Sequence, residues 1–116
     1  MDHRTDILDL RTALDVLRQT PGQLVETDVE VDPEAELSGV YRYVGAGGTV
    51  MRPTKVDGPA MVFHNVKGHP DTSVAIGVLA SRQRVANLFG VKKEELGHLL
   101  CECAKNPIQP IVTHEP

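Results

Sequence analysis

From Leu10 onward the apolar positions Leu10, Ala13, Leu14 and Leu17 recur at i, i+3, i+4 and i+7, which puts them on one stripe of a helix. Asp9 precedes the stripe as an N-cap, and Pro21-Gly22 stops it. Over residues 24–31 the period changes to two: Val25, Thr27, Val29 and Val31 share one side, and Glu26, Asp28 and Glu30 the other. That is the pattern of a half-buried strand. Asp32-Pro33 then reads as the N-cap and first residue of a second helix, because proline has no amide hydrogen to waste there, and Glu34 and Glu36 favour the positive helix end. Leu37, Val40, Tyr41 and Val44 supply its stripe. Gly45 suits the left-handed position after it, followed by a loop through Gly47, Gly48, Pro53 and Gly58.

Residues 60–66 and 73–79 are apolar runs rich in Val and Ile, separated by the turn formers Lys67, Gly68, His69, Pro70 and Asp71. They read as two strands, the second buried on both faces. Ser81 caps a short helix carrying Val85, Leu88 and Phe89 and closed by Gly90. A last helix covers residues 93–105 with Leu96, Leu99, Leu100 and Cys103 in register, ended by Asn106-Pro107. The order is helix, strand, helix, strand, strand, helix, helix, tail, with no repeat or low-complexity tract. The fold class expected is α+β: a small mixed β-sheet packed with about four helices. Leu14 and Leu100 are expected in the core.

At 116 residues the chain is the size of one domain and can bury about two thirds of its unfolded surface. With 41% hydrophobic residues but only 3% aromatic, no Trp, two Tyr and two Phe, the core must rest on Val, Leu, Ile and Ala. A formal charge of -4 gives no basic face to displace counterions, which argues against nucleic-acid binding. The apolar runs are far shorter than the roughly 20 residues of a bilayer span, and the polar opening is no signal peptide. The expected setting is soluble and cytoplasmic. Cys101 and Cys103 lie two apart on a helix, about 200° around its axis, so no disulfide joins them.

Four groups carry potential chemistry. Gly45-Ala46-Gly47-Gly48 invites a phosphate-loop reading, with Arg42, Arg52 and Lys55 as the nearby cations. It follows a helix instead of opening one after a strand, so a flexible connector is the reading taken. His98 and Cys101 share a helix face at i, i+3, but Cys103 points elsewhere, and core packing of the cysteines is preferred to a zinc site. His64 and His69 flank a strand end and a turn, yet local spacing places no Ser, Cys or carboxylate beside either as a base would need. The acidic residues from Glu26 to Glu36 read as a solvated strand face and a helix start.

Several stretches in collinear order resemble the N-terminal region of the UbiD family of prenylated-FMN-dependent decarboxylases. They are residues 9–17, Glu30-Val31-Asp32-Pro33, Val40-Tyr41-Arg42-Tyr43 running into Gly45-Ala46-Gly47-Gly48-Thr49-Val50, and Arg52-Pro53-Thr54. Further along come Gly58-Pro59-Ala60, Phe63-His64-Asn65-Val66-Lys67-Gly68-His69-Pro70, Ala80-Ser81-Arg82-Gln83-Arg84-Val85 and Pro107-Ile108-Gln109-Pro110-Ile111-Val112. Each motif alone is weak, but the ordered set is specific. The glycine segment leading into Arg52-Pro53-Thr54 is most similar to the hydroxybenzoate, vanillate and gallate decarboxylase group.

The resemblance implies reversible, non-oxidative decarboxylation of hydroxylated aromatic acids by a homo-oligomeric enzyme several times longer than this chain. It also implies prenylated FMN with a divalent metal (Mn or Mg) and potassium, all held in a barrel domain that follows this region. No position here matches the family's catalytic motifs, so no catalytic, cofactor-binding or metal-binding residue is assigned. Residues 1–106 are expected to form the domain and 107–116 an extended exit linker toward that catalytic barrel. Partners expected are the catalytic domain or other copies of the chain, and an aromatic carboxylic acid in the full enzyme. The alternative is a stand-alone binding or assembly module of the same fold. An independent small enzyme ranks last, for want of a nucleophile, base and orienting residue in one motif. The apolar tail residues Ile108, Ile111 and Val112 are expected either to lie over the domain or to project from it.

Overall fold

The first stripe folds as α1 (Leu10–Gln19) in the computed structural model, which describes residues 4–47 and 55–115. The Asp9 carboxylate accepts from the Thr12 amide at 2.8 Å, and the Asp9 amide donates to the Thr12 hydroxyl at 3.1 Å. The cap thus satisfies an orphan amide of the first turn and its own amide together. Ala13 and Leu17 are buried and Leu14 half-buried, while Leu10 at the end of the stripe stays exposed.

A three-stranded sheet follows in the order β1 (Leu24–Thr27), β2 (Ala60–Phe63), β3 (Val74–Ile76). β1 and β2 are parallel, with Leu24 opposite Ala60 and Thr27 opposite Phe63; β2 and β3 are antiparallel, with Phe63 opposite Val74. A parallel pair requires a crossover, and α2 (Glu36–Ala46) supplies it. Met61, Phe63, Val74 and Ile76 face α2, where they pack with Val31, Leu37, Tyr41, Val44 and Val66. Val62 and Ala75, one residue out of phase, face α1. Beyond the sheet come α3 (Arg82–Phe89), a 3-10 turn (Lys93–Glu95) and α4 (Leu96–Lys105). Ala86, Val91 and Leu99 form a second small core there, with Phe89 against it. The expected α+β class and element order are both present.

Several local expectations change. β1 ends at Thr27 instead of Val31, leaving Val29 exposed; only Val31 rejoins the sheet, through an isolated bridge to Val66. Val25 is also exposed, because β1 is an edge strand and α2 lies over β2 and β3. β3 has three half-buried residues, since it is the other edge and only one of its faces is covered. Asp32 does accept from the Glu34 amide at 2.8 Å, but α2 starts later, at Glu36, because Ala35 takes φ +70° and breaks the helical path.

The left-handed residue closing α2 is Gly47, not Gly45. Gly45 is a buried helical residue whose reason is contact: a Cβ there would sit 2.9 Å from the Pro59 carbonyl oxygen and inside the Tyr41 ring. The caps of α3 are as expected, with Ser81 Oγ accepting from the Arg84 amide at 3.2 Å and Gly90 left-handed at its end. In α4 the stripe holds only at its start: Leu96 and Leu99 are buried, but Leu100 is 49% exposed and Cys101 and Cys103 are free and exposed. α3 and the 3-10 turn cover the first turn of α4, and among the described residues Leu100, Cys101 and Cys103 stay exposed, so none of the three is core.

Leu100→Ala is therefore expected to cost less than about 1 kcal/mol, well below the 2 to 5 kcal/mol of a core leucine, as read from the urea midpoint. A loss in the core range would show that this face is covered in solution. Residues 107–115 carry no regular structure and project, with Ile108, Ile111 and Val112 exposed. Among the described residues no helix is long and apolar enough to cross a membrane.

Candidate functional site

Local spacing puts no partner beside His64, but the sheet does. His64 is the residue after β2, and its amide donates to the Thr27 carbonyl at 3.0 Å, extending the pairing with β1. Its side chain projects on the face of Val62 and Ala75. Glu26 reaches it from β1 and Ser73 from the residue before β3. His64 Nε2 lies 3.0 Å from Glu26 Oε1, and Nδ1 lies 2.9 Å from Ser73 Oγ. A carboxylate only accepts, so Nε2 carries the proton toward Glu26, and Nδ1 is left to accept from the Ser73 hydroxyl.

Arg18 of α1 holds the far end of this chain of hydrogen bonds. Its Nε donates to Glu26 Oε2 at 2.8 Å and its Nη2 to Oε1 at 2.9 Å, a two-point grip; Nη1 donates to Asp15. The Arg18 hydrogen bonds, then that of His64, hold the Glu26 carboxyl down to about 2, far below its ordinary value. A depressed carboxyl stabilises the fold fully above its unfolded pKa, near 4.5, and loses that contribution as pH falls through the folded value near 2. Because Arg18 is 45% exposed, solvent screening limits the contribution to about 1 kcal/mol. Glu26→Gln should cost about that much at pH 7 and flatten the stability profile between pH 4.5 and 2, measured as urea midpoint against pH. Profiles of equal steepness in both proteins would show that the pair contributes nothing.

Beside Ser73 the same sheet face is open. Between α1 and the sheet runs a groove of about 380 Å³ lined by Leu10, Leu14, Val62 and Ala75 together with Asp9, Arg11 and Ser73. A larger cleft, about 610 Å³, opens on the other side of α3 between Asp57, Ser81, Arg82, Gln83, Lys93 and Glu94. Two of its polar groups are engaged with each other, Ser81 donating to Asp57 at 2.6 Å, and Gln23 donates to the same carboxylate at 3.3 Å.

Under that cleft lies a residue that the sequence reading did not single out for any role of its own. Arg84, 1% exposed, donates to the carbonyls of Gly58 at 2.7 Å, Gly77 at 2.8 Å and Val78 at 3.2 Å, and to Gln23 Oε1 at 3.3 Å. Burial pulls its pKa down from the usual guanidinium value, with Tyr41 and Asp57 acting the other way. The only sequence signal was an arginine three residues after a Ser cap, on the side of α3 that turns inward.

The other candidates stay apart. Gly45 and Ala46 belong to α2 rather than to a connector, and Lys55 Nζ donates to the Val44 carbonyl at 2.8 Å, closing the helix end. Gly48 and Arg52-Pro53-Thr54 lie outside the described residues. His69 is a turn residue: its amide donates to Val66 and its carbonyl accepts from Thr72. His98 and Cys101 are exposed on α4, and among the described residues no three His, Cys, Asp or Glu converge as a metal would need. Of the acidic residues from Glu26 to Glu36, Glu26 meets both Arg18 and His64, and Asp32 meets Lys67 at 3.8 Å.

Comparison with known proteins adds four findings. A profile of the 3-octaprenyl-4-hydroxybenzoate carboxy-lyase N-terminal domain matches residues 16–104. Gallate decarboxylase of Lactiplantibacillus plantarum is 58% identical over 102 residues, 88% of this chain and 21% of that protein. The apo crystal structure of Klebsiella pneumoniae 3,4-dihydroxybenzoic acid decarboxylase superposes with a TM-score of 0.81 at 50% identity, covering 90% of this chain and 21% of that one. The apo enzyme of the same name from Enterobacter cloacae gives 0.82 at 50% identity, covering 92% and 22%. The chain thus spans about a fifth of the length of the relatives it matches.

Proposed function

Since the chain belongs to the 3-octaprenyl-4-hydroxybenzoate carboxy-lyase N-terminal domain family, we propose that it serves as the non-catalytic N-terminal domain of an enzyme that reversibly and non-oxidatively decarboxylates hydroxylated aromatic acids. The observation that carries this reading is likeness over nearly the whole chain, at 50 to 58% identity, to proteins named as gallate and 3,4-dihydroxybenzoic acid decarboxylases. The exposed apolar residues of α4 and the tail support it, since such a patch suits contact with further polypeptide. In this reading residues 1–106 are the domain, 107–116 lead toward the catalytic part, and the enzyme is a cytoplasmic homo-oligomer.

The family implies prenylated FMN with a divalent metal and potassium. The described residues do not fit that group: no metal-ligating cluster is present among them, and no buried side-chain nitrogen or oxygen lacks a hydrogen-bond partner. The reading therefore leaves the cofactor to other parts of the enzyme, and no chemical step is assigned to these residues. What this domain contributes is a rigid α+β wall, pinned by Arg84 and the two cores.

The test is a chimera in which these 116 residues replace the matching N-terminal fifth of the Lactiplantibacillus plantarum enzyme. Gallate or 3,4-dihydroxybenzoate decarboxylation should stay within about tenfold of the parent, a change of roughly 1.4 kcal/mol in the barrier. The separate 116-residue chain should show no stoichiometric flavin absorbance. A soluble, flavin-loaded chimera without activity, or a flavin-loaded isolated chain, would overturn the proposal.

A further inference from the structure

The decarboxylase reading makes no use of the Ser73, His64 and Glu26 array or of the groove beside it. We propose that these three residues form a second, nucleophilic site, which acylates on Ser73 and hydrolyses small carboxylic esters with an apolar acyl group. The inference is independent of the decarboxylase role. It stands on geometry: a hydroxyl 2.9 Å from an imidazole nitrogen, the other nitrogen 3.0 Å from a carboxylate, and that carboxylate gripped by Arg18. Nucleophile, base and orienting acid are thus in hydrogen-bond reach in the order such catalysis requires. The nucleophile also lies on the wall of a concave apolar space, where Leu10, Leu14, Val62 and Ala75 can receive an acyl chain.

The step balances without any oxidant or reductant. Ser73 Oγ attacks the ester carbonyl carbon, its proton passes to His64 Nδ1, and the carbonyl electron pair moves to oxygen. As the tetrahedral species collapses, the bond to the alcohol oxygen breaks, and Nδ1 returns the proton to the departing alkoxide. Water then attacks the acyl-serine in the same way, giving its proton to Nδ1, and the released acid leaves Ser73 restored. While Nδ1 holds the proton, the imidazolium faces the Glu26 carboxylate through Nε2. Arg11, which also lines the groove, would offer positive charge to the developing oxyanion. Its exposure keeps that stabilisation weak, so activated esters are the class expected.

The probe is a fluorophosphonate, which traps a serine with an adjacent base, applied to the 116-residue chain and read by intact mass and peptide mapping. One adduct is expected, on Ser73, together with hydrolysis of p-nitrophenyl acetate above the uncatalysed rate. Ser73→Ala, at an exposed position with little bearing on folding, should abolish both. His64→Ala should slow labelling about 100-fold, the lower end of what a general base supplies, with circular dichroism confirming the fold. No adduct on the folded wild-type chain, an adduct elsewhere, or equal labelling of Ser73→Ala would overturn the proposal.

Discussion

Arg84→Met should remove about 3 to 5 kcal/mol of stability, a large share of the roughly 5 to 15 kcal/mol that holds a domain of this size together. The methionine keeps most of the stem's packing, so the loss isolates the guanidinium. Without it, the buried Gly58 carbonyl and the half-buried Gly77 and Val78 carbonyls lose their donor, and each unsatisfied acceptor costs about 1 to 3 kcal/mol where water does not reach it. Arg84→Lys should rescue little, because one ammonium cannot serve carbonyls on both sides of the planar fork. Urea denaturation followed by circular dichroism checks both variants. A loss below about 1 kcal/mol for Arg84→Met would mean that water replaces the side chain and that the hub is dispensable.

Gly58→Ala is expected to cost about 3 kcal/mol or more, at the upper end of what overpacking does. A Cβ on Gly58 would lie 1.8 Å from the Gly45 carbonyl oxygen and 2.6 Å from its carbon, and these are backbone atoms of α2 that cannot turn aside. The strand that begins at Ala60 would have to move away from the helix that covers it. Gly39→Ala is the contrasting variant: it too lies in α2, but a Cβ there meets nothing within 4 Å, so relief of glycine's helix penalty should stabilise by about 0.5 to 1 kcal/mol. Thermal melting should separate the two by about 10 °C or more. Equal melting temperatures would show that the contact between Gly45 and Gly58 relaxes freely.

The sequence by itself determined the elements and their ends wherever the signal was local. Asp9 and Ser81 cap helices, and Gly90 ends one, because a cap is a contact across three or four residues. The period-two and period-3.6 patterns likewise marked which face of each element is apolar, and hence the α+β class. Whether another element covers that face is a different question, and tertiary structure alone answered it. Leu99 is buried and Leu100 half open on the same helix, because α3 reaches only one side of α4. Arg84 became the centre of the fold, and not a surface charge, because four acceptors from three separate loops and turns converge on it. The candidate site was hidden for the same reason. Glu26, His64 and Ser73 are 38 and 9 residues apart, and only the parallel pairing of β1 with β2 and the antiparallel return of β3 bring their side chains onto one face within hydrogen-bond distance.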